Sequence, residues 1–170
     1  MKKRRFLVVL TVALVFVAAA CVKKESEAPP QDSSAALAGD PENLGQKIGS
    51  SYVETLKQVV AVMNDKPPAA DVKAMLADLK SWTIELMVGL GREREALSEA
   101  DRAVVDRVLS QRIAGVPAEL FKEYQAGQQH YKDDRELFRL IADFNIITQY
   151  ANFDLLKKQL PEEAKRLGIE

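Results

Sequence analysis

The chain reads as an all-α protein, an antiparallel helical bundle of about four main helices plus short helical additions. Three observations predict this. Between positions 41 and 170 the apolar residues recur every three or four positions, the period of an amphipathic helix. No stretch alternates strictly between apolar and polar residues, no Asn-Gly pair marks a hairpin, and no fixed-period repeat is present. The segments so defined open and close on residues that start or stop helices.

The first segment opens at "DPEN". Asp40 is placed to cap, and Pro41 suits a first helical position because its missing N–H would be unpaired there anyway. Leu44, Ile48, Tyr52, Leu56, Val59, Val60 and Met63 then form an apolar stripe, and "NDKPP" at 64–68 stops the helix. A second helix is expected from about Ala69 to Glu95, with the stripe Val72, Met75, Leu76, Leu79, Trp82, Leu86, Met87 and Leu90. Gly89 and Gly91 weaken its far end or permit a neighbour to approach closely.

Ser98 starts a third helix, with Asp101 three residues on in the capping-box position. Its apolar face is Val104, Val105, Val108, Leu109 and Ile113, and Gly115 ends it. Pro117 opens a shorter segment with Leu120, Phe121 and Tyr124. A long helix is expected from about Asp133 to Gln159, capped by Asp133 and Asp134. Pro161 begins a last short one, closed by Gly168 with Ile169 behind it. The charged stretch "GREREALSEADR", 91–102, reads as a solvated helix end and turn, or as a partner-binding surface.

"LIADFNIITQYANFDLL", 140–156, leaves little room for a solvent face, as in a helix central to its bundle. Asn145, Gln149 and Asn152 follow at spacings of four and three, which on an α-helix is one side. Buried amides must find hydrogen bonds. They either bond across to a neighbouring helix or line a pocket with Thr148 and Tyr150. Seven of the nine aromatic residues beyond position 20 lie between Phe121 and Phe153. The ligand-binding residues expected on the pocket reading are Trp82, Asn145, Gln149 and Tyr150, around a small apolar or amphipathic ligand.

Catalytic groups are not evident. The single histidine, His130 in "GQQHYKDD", has no second ligand at metal-binding spacing, and neither Glu-x-x-His nor Cys-x-x-Cys-His occurs. There is no nucleophile elbow, Gly-rich phosphate loop or histidine–carboxylate arrangement. The expectation is a protein with no catalytic residues, no metal and no cofactor.

The beginning of the chain carries a different signal. "MKKRR" is followed by fifteen residues, Phe6 to Ala20, of which Thr11 alone is polar. As a helix this run is about 22 Å long, at about 1.5 Å per residue. A bilayer core of about 30 Å needs about 20 apolar residues. The run is therefore short for a permanent anchor and fits a secretory signal over residues 1–20, with a charged n-region, an apolar h-region and a small-residue exit. The stretch Ala18 to Cys21, "AAAC", resembles the lipobox of bacterial lipoproteins, although position 18 is Ala where the family most often has Leu. The resemblance covers residues 1–22. It implies cleavage before Cys21, lipidation of that thiol and usually acylation of the new N-terminus. Ordinary signal peptidase would cut the same bond and leave a free thiol. Cys21 is the chain's one cysteine and has no internal disulfide partner, whereas two acyl chains hold a protein on a membrane stably. Val22 follows it. In enteric family members Asp at that place retains the protein in the inner membrane, so the resemblance points to the outer membrane.

Residues 1–20 hold four of the chain's 24 cations and none of its 25 acids, so the remainder is formally −5. That sign argues against nucleic acid as a partner and against adhesion to anionic lipid by charge alone. Residues 21–40 are rich in Pro, Ser, Ala and charge, and read as a disordered tether reaching roughly 25 Å between the lipidated cysteine and a single domain, 41–170. The function expected is that of an envelope lipoprotein facing the periplasm, a protein-interaction or accessory module with an envelope protein as partner. The second reading is a binder of a small ligand inside the bundle.

Overall fold

The computed structural model describes residues 39–169, and the expected signal peptide, Cys21 and most of the tether lie outside them. The described residues form α1 (Pro41–Met63), α2 (Ala69–Glu95), α3 (Glu99–Ala114), α4 (Ala118–His130), α5 (Arg135–Asp143), a 3-10 helix (Phe144–Ala151), α6 (Phe153–Gln159) and α7 (Pro161–Arg166), with no strand among them. The all-α bundle is what the apolar period predicted. No helix among the described residues is long and apolar enough to cross a membrane.

Local signals place most of the ends. The Asp40 carboxylate accepts from the backbone N–H groups of Glu42 and Asn43 at 3.1 and 3.3 Å. Ser98 Oγ accepts from the Asp101 N–H at 3.2 Å. Aspartate is one carbon shorter than the usual glutamate of a capping box, and here its carboxylate takes the Ser98 hydroxyl, at 2.7 Å. Gly168 adopts φ +67°, and the Ile169 N–H reaches back to the Ala164 carbonyl at 2.9 Å to close α7.

Close residue pairs define four long legs. Gly45 lies against Val105 and Val108, Gly49 against Leu109 and Arg112, and Gly127 against Met63. The third leg, α3 followed by α4 with a break at Gly115–Pro117, therefore runs beside α1 and in the same direction. Lys73 pairs with Asp134, Lys80 with Asp143, and Gly91 meets Tyr150 and Phe153. The fourth leg, α5 through the 3-10 helix to α6, thus runs along α2. Successive legs alternate in direction, yet the nearest neighbours α1 and α3 are parallel.

That pairing depends on Gly45 and Gly49, one turn apart on α1. A methyl group built on Gly45 would lie 2.8 Å from both the Val105 carbonyl oxygen and Val108 Cβ, and one on Gly49 would lie 2.6 Å from Arg112 Cβ. Both contacts are shorter than close-packed atoms permit. Backbones approach this closely only where side chains are absent.

The fourth leg corrects the expectation of one long helix over Asp133–Gln159. Asp134 alone of the expected pair caps it, its carboxylate accepting from the Leu137 N–H at 3.0 Å. The helix then tightens to 3-10 geometry after Asp143 and ends at Asn152. The reason lies in the side chains. Ile141, Phe144, Ile147, Tyr150, Phe153 and Leu156 are all buried, each three residues after the last. An α-helix turns about 100° per residue and would spread these six most of the way round its surface. A 3-10 helix has three residues per turn and stacks i over i+3, so through Phe144, Ile147 and Tyr150 one line of side chains stays on the core.

Candidate functional site

The 3-10 geometry also redistributes the polar row. Asn145 shares its line with Thr148, while Gln149 shares another with Ile146 and Asn152, so Asn145 and Gln149 do not form one face. Asn145 is exposed. The side-chain oxygen of Asn152 accepts from the Leu155 N–H at 3.1 Å and caps α6. Gln149 is half-buried, with Oε1 sealed from solvent and no hydrogen-bond partner. Tyr150 is buried and donates to Glu163 Oε1 at 3.2 Å.

Trp82 is not among these residues. It is 52% exposed. Lys73, Lys80 and Gly91 mark the side of α2 that faces the fourth leg. Trp82 is nine residues from both Lys73 and Gly91, which at about 100° per residue is half a turn away. The four expected ligand-binding residues are therefore not brought together. Tyr150 instead lines an open groove of about 250 Å³ with Lys80, Asp143, Ile146, Leu160 and Glu163. His130 is exposed at the end of α4, on a groove of about 570 Å³ between α1 and α4, its ring edge-on to Tyr131. No group of three or more potential metal-ligating side chains occurs among the described residues.

The strongest polar constellations hold elements together. Arg94 is buried and fork-bonded to Asp106, Nε to Oδ1 at 3.1 Å and Nη2 to Oδ2 at 2.9 Å, with Nη1 on Glu95 at 3.2 Å. Arg102 adds a bond to Glu95 at 3.3 Å and one to the Leu97 carbonyl at 3.2 Å. The segment is the helix end and turn expected, with Arg92, Glu93, Ser98 and Glu99 exposed, but Arg94 is buried and its charge network pins the α2–α3 turn. Its one signal in the sequence was an arginine on the core side of the α2 period.

The tyrosines are structural as well. Tyr124 donates to the Ile141 carbonyl, and Tyr131 to the Pro67 carbonyl at 2.8 Å. All four tyrosines in the chain are pushed above the ordinary phenol value of 10: Tyr52, Tyr124 and Tyr131 first by burial, and Tyr150 to about 12 by burial and then by the Glu163 charge. Glu163 is held below the usual carboxylate range, chiefly by its bonds from Arg166 at 2.7 Å. In an unfolded chain the phenols ionise near pH 10, while the fold keeps their protons. Stability from this source is complete below pH 10 and falls as pH rises toward about 12, because the unfolded state then binds fewer protons. An alkaline titration is expected to show tyrosinate absorbance and loss of helical circular dichroism rising together. Free ionisation of all four rings near pH 10, with the helices intact, would refute this.

The stripe expected to bury α2 divides in two. Val72, Leu76, Met87 and Leu90 are buried. Met75 and Trp82 point outward, at 48% and 52% exposure, with Leu79 and Leu86 half-buried between the two sets. Eight apolar residues were more than one face of a helix can cover, and the sequence did not say which would lose. No protein-family model matches the chain, and no curated protein or solved structure matches it either.

Proposed function

We propose that this chain is a lipid-anchored protein of a bacterial envelope, attached through Cys21, whose helical domain binds another protein in the periplasm. The single observation that supports binding is the outward apolar line of α2 centred on Met75 and Trp82. With half-buried Leu79 and Leu86 joining them, these side chains form a continuous apolar line on one face, and continuous exposed apolar surface, unlike scattered single residues, marks contact sites. The anchor is supported by sequence alone: the cation run, the short apolar run and Ala-Ala-Ala-Cys. The outer membrane is the favoured site, from Val22 after the cysteine.

The test uses the full-length protein in its own cells, with a photo-crosslinking amino acid at position 82 and, as control, at Lys122 on the exposed side of α4. A discrete protein adduct from position 82 and none from position 122 is expected. The intact chain mass is expected to begin at Cys21 with added acyl groups. No adduct at 82 above the control overturns the binding reading, and a bare Cys21 overturns the anchor.

A further inference from the structure

The outward line of α2 has a spacing that the core does not require. Met75, Leu79, Trp82, Leu86 and Gly89 follow at intervals of four, three, four and three, the seam of a two-stranded coiled coil. Gly89 leaves a notch at the end of the seam, since a methyl group there would touch nothing within 4 Å. Beside the seam, at seven-residue intervals, lie Asp71, Asp78, Glu85 and Arg92, all exposed, three acids along the seam and one cation past its last position, Gly89. The corresponding positions on the other flank, Leu76 and Thr83, are buried in the bundle. Along the seam, from Met75 to Gly89, the flank open to a partner is therefore acidic, and in paired helices it is this flank that selects the partner's charge.

Charge decides between occupants. A second copy packed antiparallel on the seam would set Asp78 against Glu85 twice at its centre, like against like, with Asp71 against Arg92 only beyond the two ends of the seam. A parallel copy would set the acids opposite positions buried in the bundle. An anionic bilayer is repelled by all three carboxylates. We propose that α2 docks a basic amphipathic helix of another protein, its apolar seam on Met75, Trp82 and Leu86, its Lys or Arg side chains paired with Asp71, Asp78 and Glu85, and a bulky side chain over Gly89. This rests on the reading of the chain as a protein-binding module.

Trp82 is the chain's one tryptophan, so its emission reports on the seam directly. The experiment titrates the full-length protein, held in phosphatidylcholine nanodiscs, with two synthetic three-heptad helical peptides. Both carry a leucine seam, one flanked by lysine and the other by glutamate. A saturable blue shift with the lysine peptide is expected, with little or none from its twin. The exposed double variant Asp78→Lys/Glu85→Lys, its fold checked by circular dichroism, is expected to bind the lysine peptide about tenfold more weakly and to gain affinity for the glutamate peptide. Equal binding of the two peptides, or no shift with either, overturns the proposal. So does a concentration-dependent shift without peptide, which means a second copy, or a shift on anionic vesicles, which means a lipid surface. A discrete crosslink from position 82 in cells with no charge dependence here leaves the protein-binding reading standing and removes the basic helix alone.

Discussion

Replacing Ile147 with alanine is expected to cost about 3–4 kcal/mol of stability, while Ile146→Ala, one residue earlier, costs less than about 1 kcal/mol. Ile147 is fully buried on the line that runs from Ile141 to Leu156, whereas Ile146 is 39% exposed. The first loses the transfer energy of three carbons and leaves a void in a core that Phe144 and Tyr150 keep from collapsing. The second already has more than a third of its surface in water and lies at an open groove, so its truncation leaves no closed void. Urea unfolding of the two variants measures the difference, with equal slopes as the check that the unfolded states match. Comparable losses from both substitutions would mean that the three-residue register of this segment is wrong.

The second large effect is expected at the α1–α3 contact. The double substitution Gly45→Ala/Gly49→Ala adds the helix propensity of two alanines, which alone favours folding by up to about 1 kcal/mol per site. Against this, each new methyl group meets atoms close to or on the backbone of α3: the Val105 carbonyl and Val108 Cβ at 2.8 Å, and Arg112 Cβ at 2.6 Å. Such atoms yield only if the helices separate, and overpacking costs typically 1–3 kcal/mol per site. The net expectation is a loss of about 2–3 kcal/mol. Gly89→Ala is the internal control: the same propensity gain applies, nothing lies within 4 Å, and stability should rise by about 0.5–1 kcal/mol. Thermal unfolding of the three proteins gives the order directly. A double variant more stable than the parent would show that the helices do not need this close approach.

These two sites also divide what was legible in the chain from what was not. The three-residue spacing of Ile141, Phe144, Ile147, Tyr150, Phe153 and Leu156 is written in the sequence, and it marks 3-10 geometry to a reader who counts it. Read at the α-helical period, the same residues suggest a helix apolar all round, with Asn145, Gln149 and Asn152 on one side. The Gly45–Gly49 pair was equally visible, as small residues one turn apart within an otherwise ordinary helix. Neither signal named its partner. The candidate ligand site was less legible still. Tyr150 and Gln149 lie near the fourth leg's packing surface, Asn145 faces solvent, and Trp82 sits on the opposite side of α2.

The sequence by itself determined the helical class and most helix boundaries, though not the breaks after Asp143 and at Asn152. Asp40 with Pro41, Ser98, Gly115, Asp134, Pro161 and Gly168 act on backbone groups within a few residues, so no distant segment is needed to read them. It also carries the whole case for Cys21 as the anchor. The tertiary structure alone decided that α1 and α3 lie parallel, that Arg94 is buried on Asp106, and that Met75 and Trp82 face outward while Val72 and Leu76 face in. Each of these is a choice between surfaces far apart in the chain. Periodicity says that a face is apolar. Which apolar face is covered depends on the shape and charge of what packs against it.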